Sequence, residues 1–90
     1  MRGTDVAKRV VLTRHASVRL EERGIRLEWV EMAAYRPAWT EPEPTDPSAE
    51  RRFVRIDGLA GRALRVVCVE TVDTIRVITA TFDRGARSPR

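Results

Sequence analysis

Pro42, Pro44 and Pro47 fall within six residues of one another in the stretch "TEPEPTDPSAE", residues 40–50. Each proline lacks a backbone N–H and fixes φ, so no regular helix or central strand can run through this stretch. It separates a first half with helical apolar spacing from a second half rich in β-branched residues. The same stretch holds Glu41, Glu43, Asp46 and Glu50 and no Lys or Arg. Setting these four acids aside from a net charge of +4 leaves +8 on the other 79 residues.

Before the prolines, "VAKRVVLT" (6–13) reads as a first strand, and Thr13 is placed to cap a helix by accepting an N–H of its first turn. Ala16 and Leu20 mark the inner side of that helix, and Gly24 supplies a left-handed stop. A second helix is expected from about Leu27 to Tyr35, ending before Pro37, with a short edge strand near 38–41 leading into the acidic loop 40–50. After the loop, "RRFVRID", "RALRVVCVET" and "TIRVITATF" read as strands, with "GLAG" as a turn and Val72–Asp73 as the tip of a hairpin. The tail 84–90, "RGARSPR", is basic and expected to fray. The whole chain, 1–90, is read as a single domain of class α+β. Two N-terminal helices are expected to pack on a 3–5-stranded antiparallel sheet in the order β-α-α-β-β-β.

Closing the hairpin at Thr71 and Thr74 puts Val69 opposite Arg76, Val67 opposite Ile78 and Arg65 opposite Ala80 on one face. The other face carries Cys68 with Val77, Val66 with Thr79, Leu64 with Thr81, and Ile75; this drier face is expected under the helices. Arginines then decorate the opposite side of the sheet.

Several chemistries are set aside on residue types. The single histidine, His15, and the single cysteine, Cys68, lie on different elements without ligand spacing, so no metal or other cofactor is expected. Cys68 sits mid-strand as a small core residue, and neither a glycine-rich phosphate loop nor a nucleophile elbow is present. One unpaired cysteine suits a reducing cytoplasm, and no run approaches the roughly 20 apolar residues of a membrane span. Sixteen of the seventeen basic residues are arginines, whose planar fork fits phosphate. His15, Arg19 and Arg23 recur at i, i+4 and i+8 along one side of the first helix. Such parts suit metal-free RNA cleavage, with imidazole moving protons and guanidinium holding the charge of the transition state. The plainer alternative is that His15 bonds locally and the arginines pair with neighbouring glutamates, each surface pair being worth under about 1 kcal/mol.

The segments "TRHASVRLEERGI" with "EWVEMAAYRP", and "LRVVCVETVDTIRVITATF", resemble the opening and the closing hairpin of the bacterial DUF4258 domains, over residues 10 to 85. That family is similar to the BrnT toxins and, more distantly, to RelE/ParE-like toxins. The resemblance implies a toxin-like endoribonuclease acting on mRNA, alone or on the ribosome, and held in check by a cognate antitoxin. The candidate catalytic residues are then His15, Arg19 and Arg76, with Arg23, Arg65 and Arg84 on the phosphates, and Arg76 matches a basic position of the BrnT-like chains. Thr81 stands near where those toxins carry further basic residues, and Arg84 and Arg87 follow it. Two other expectations stay open: a non-catalytic module binding nucleic acid or protein, and an inactive orphan toxin. A chain this small also leaves room for a homodimer. The acidic loop is expected to screen the basic face in cis.

Overall fold

A computed structural model describes residues 8–89. The chain runs β1 (Arg9–Leu12), α1 (Arg14–Arg23), α2 (Leu27–Tyr35), β2 (Trp39–Pro42), β3 (Glu50–Ile56), a 3-10 turn (Asp57–Leu59), β4 (Arg62–Glu70) and β5 (Thr74–Phe82). Residues 6 and 7 of the expected first strand and residue 90 of the expected tail lie outside the described residues.

Local chemistry sets the helix ends. Thr13 is extended, and its hydroxyl accepts the Ala16 N–H at 3.0 Å, which satisfies one donor of the first turn of α1. Gly24 stops the helix at φ 65°, a conformation that costs glycine nothing, and Ile25 N–H then reaches back to the Leu20 carbonyl at 2.9 Å. Ala16 and Leu20 of α1, and Val30, Ala33 and Ala34 of α2, are the buried helix residues. Their small side chains let both helices lie close against the sheet, α1 over β5 and β1, α2 over β3 and β4.

The sheet overturns the expected architecture. It is five-stranded and mixed, in the order β1-β5-β4-β3-β2, with both helices between β1 and β2 in the chain. β2, β3, β4 and β5 are joined antiparallel, whereas β1 pairs parallel with β5, Val10 facing Ile75 and Leu12 facing Val77. Two helices on an antiparallel sheet is therefore not the topology of this chain. A parallel pair needs a long crossover, and everything from α1 to β4 supplies it. Nothing near β1 in sequence encodes which way its distant partner runs.

The hairpin register is corrected as well. Cys68 faces Val77, but the next pair along is Val67 with Thr79, so Ile78 is an extra residue that bulges from β5. Beyond the bulge, Arg65 faces Thr81 rather than Ala80, Val66 faces Ala80, and Leu64 faces Phe82. The bulge turns Ala80 into the core, where it is fully buried. It also frees the Ile78 carbonyl to accept the Thr13 hydroxyl at 3.3 Å, tying the start of α1 to the sheet.

The main core lies between helices and sheet and contains Val54, Ile56, Leu64, Val66, Cys68, Ile75, Val77 and Ala80 beneath Ala16, Leu20, Val30, Ala33 and Ala34. A smaller apolar island, Trp39, Phe53 and Ala63, occupies the helix-free face with Ala86 packed on it. Among the described residues, no helix is long and apolar enough to cross a membrane.

The turn between β3 and β4 stores strain. Ala60 has φ 56°, in the left-handed region where a Cβ costs about 1–2 kcal/mol. Ala60→Gly relieves this against an unfolded-state entropy loss of about 0.4–1 kcal/mol, for a net gain of about 0.5 kcal/mol. The expected result is a melting temperature raised by about 2–4 °C in a calorimetric scan.

Candidate nucleic-acid interface

The residues singled out by sequence do not converge. His15 is exposed on the second residue of α1. Arg19 closes a local ion pair with Glu22 at 2.5 Å, and Arg23 spans to β5, donating from Nη1 to the Ala80 carbonyl at 2.7 Å. Arg76 stands between Ile75 and Val77, both buried under the helices, so strand alternation sends its exposed side chain to the helix-free face. His15 and Arg76 thus belong to opposite sides of the sheet, and the His–Arg pair expected around one phosphate is not assembled. Arg65 shares the helix-free face and donates to Asp83 at 3.1 Å, while Arg84 is exposed just beyond β5.

What the fold does assemble is a set of arginines lying on aromatic rings. The Arg26 guanidinium carbon is 5.9 Å from the Trp29 ring centre, that of Arg62 is 5.2 Å from Phe82, and that of Arg55 is 5.3 Å from Trp39. Trp29 meets Phe82 edge to face at 6.2 Å, and Trp39 stacks flat on Phe53 at 4.8 Å. These residues share one end of the molecule but two faces of the sheet, with Arg26, Trp29, Arg62 and Phe82 on the helix side and Arg55, Trp39 and Phe53 on the helix-free side. Arg62 opens β4, Phe82 closes β5, Arg55 lies next to the end of β3, and Trp29 follows closely on the turn between the helices. Arg23, tied to the Ala80 carbonyl, and the exposed Arg84 and Arg87 lie at the same end. Three of the five aromatic rings have a guanidinium carbon within 6 Å of the ring centre.

The opposite end is an ion network that sequence reasoning missed. Arg52 is buried on the helix side between α2 and the sheet, where its parity places it with Val54 and Ile56. Its Nη1 donates to the Ala34 carbonyl at 2.7 Å, satisfying the C-terminal turn of α2, where a cation is favoured by the helix dipole. Its Nε donates to Glu50 at 2.6 Å and its Nη2 to Glu70, which also receives Lys8 at 2.5 Å. The hydrogen bonds from Lys8 and then Arg52 hold the Glu70 carboxyl below the usual carboxylate range. Burial pushes the neighbouring Cys68 thiol up to about 11, so this cysteine stays protonated and unreactive at neutral pH. Grooves of about 360 and 400 Å³ flank the network, but guanidinium and ammonium groups already neutralise its carboxylates. The signal was available: alternation along "ERRFVRI" puts Arg52 on the apolar side.

The acidic stretch is partly strand, since β2 takes Trp39–Pro42 and β3 begins at Glu50. The intervening 43–49 folds over the helix-free face above Val67, Ile78 and Thr79. Glu43 accepts from Arg51 Nε at 2.9 Å, and that bond, with the Thr45 hydroxyl, lowers its carboxyl to about 2.

No curated protein and no solved structure matches this chain. The family model described as "Domain of unknown function (DUF4258)" matches residues 12–82, all of both helices and of β2 to β5, and the chain belongs to that family.

Proposed function

We propose that this domain binds single-stranded RNA through its arginine–aromatic end. The observation that carries the proposal is the linked pair of arginine–ring stacks on the helix side of this end, Arg26 on Trp29 and Arg62 on Phe82, with the exposed Arg84 and Arg87 beyond β5 and a third stack, Arg55 on Trp39, on the other face. Guanidinium groups contact phosphate, and the half-buried Trp29 and Phe82 rings offer surfaces on which unpaired bases stack for about 1–3 kcal/mol each. A duplex, whose bases are already stacked, uses only the first of these. RNA rather than DNA is the class implied by the toxins that the sequence resembles.

Fluorescence anisotropy with a labelled oligouridylate tests the proposal. Binding is expected at low salt, weakening by an order of magnitude or more between about 50 and 200 mM as counterions compete. A duplex of equal length is expected to bind more weakly. No binding at low salt, or equal affinity for the duplex, overturns the proposal. Discrete fragments in the same incubation, lost in His15→Ala, would instead favour the endoribonuclease with an antitoxin as its partner.

A further inference from the structure

Trp39 Nε1 is the one buried side-chain polar atom without a hydrogen-bond partner among the described residues. The ring belongs to the apolar island on the helix-free face and is 7% exposed. Its cover is the irregular segment that follows β5. Asp83 N–H bonds the Ala63 carbonyl at 2.9 Å, Asp83 accepts from Arg65, and Ala86 packs on the island. Farther along, Arg55 Nη2 reaches the Ser88 hydroxyl at 3.4 Å. Besides the Arg55 guanidinium over the ring, the cover consists of one alanine side chain and a few polar contacts, and it leaves an indole donor unsatisfied.

We infer that the Trp39–Phe53 stack is a covered nucleobase site, opened when the segment after Phe82 lifts. This inference rests on the RNA-binding proposal and names a base-reading position within it. A base replacing Ala86 would meet the edge of the Trp39–Phe53 pair, the faces of Trp39 being taken by Phe53 and Arg55, with a ring nitrogen or carbonyl accepting the in-plane Trp39 N–H. Arg65 and Arg55, released from Asp83 and Ser88, would turn to the flanking phosphates. Arg84 and Arg87 travel with the cover and remain near the strand they admit. A flat ring with an acceptor edge and an adjacent phosphate describes a nucleotide in a single strand. An aliphatic peptide side chain lacks the acceptor.

The test follows the indole N–H cross-peaks of the ¹⁵N-labelled full chain, with Trp39 assigned by its loss in Trp39→Phe. On adding a short oligouridylate, the Trp39 cross-peak is expected to move downfield as its hydrogen bond forms, together with the amides of Gly85 and Ala86. Trp39→Phe keeps a ring on Phe53 but removes the donor, and is expected to weaken RNA binding about fivefold, the equivalent of one hydrogen bond. A stationary Trp39 cross-peak while that of Trp29 moves overturns the covered site and leaves the RNA proposal standing. If no resonance moves, both fail.

Discussion

Arg52→Met is expected to cost about 2 kcal/mol and to lower the melting temperature by about 8–16 °C at neutral pH. The substitution keeps an apolar stem of similar length, so packing beneath α2 changes little. What disappears is the donor to the Ala34 carbonyl and the charge that Glu50 and Glu70 face. Fully buried pairs cost about 3–5 kcal/mol when one partner is removed, but these two carboxylates are about two-fifths exposed and regain water. The deficit should depend on pH with a definite sign. Glu70 has a lowered folded-state pKa, so its contribution is full above the unfolded value near 4.5 and fades as pH falls through the folded value. The gap between wild type and Arg52→Met is therefore widest at neutral pH and narrows below about 4.5. A gap that is constant from pH 7 to 3 would show that Arg52 acts through the Ala34 carbonyl and not through the carboxylates. The separate loss at Glu43, whose carboxyl sits at about 2, affects both proteins equally and continues to lower pH.

The features legible in the sequence are those set by neighbours along the chain. Gly24 stops α1 because the left-handed residue is the glycine itself, and the turn at Val72–Asp73 follows from the two short residues between paired strands. The direction of β1 was not legible, because its partner β5 lies more than sixty residues away. Nor was the bulge at Ile78, whose carbonyl meets the Thr13 hydroxyl across distant elements. The site divides in the same way. Alternation correctly sets Arg76 apart from the helix-covered residues, yet it says nothing about whether His15 reaches the same place. Convergence depends on how far a helix wraps round the sheet edge, and here α1 stays on its own side. The stacks of Arg62 on Phe82 and Arg55 on Trp39 were invisible for the same reason, each joining different strands.

Replacing Arg26, Arg55 and Arg62 together by lysine is expected to weaken RNA binding by one to two orders of magnitude while leaving its salt dependence unchanged. Lysine keeps the charge, so the number of phosphates neutralised, and with it the slope of log affinity against log salt, should hold. It lacks the planar guanidinium that stacks on rings and bases, and losing a contact of the size of an exposed cation–π pair, about 0.5–1 kcal/mol, at each position sets the scale. Three such differences give the expected range. The triple alanine variant separates the two contributions, because it should also flatten the slope by about 2, some 0.7 for each phosphate of a single strand that is no longer neutralised. Each arginine also lies on a ring of this chain, so the melting temperature of both variants must be followed alongside binding. A lysine variant that binds as tightly as wild type would reduce this end of the molecule to a charged surface. A flattened slope in the lysine variant would show that the guanidiniums serve phosphate geometry rather than stacking.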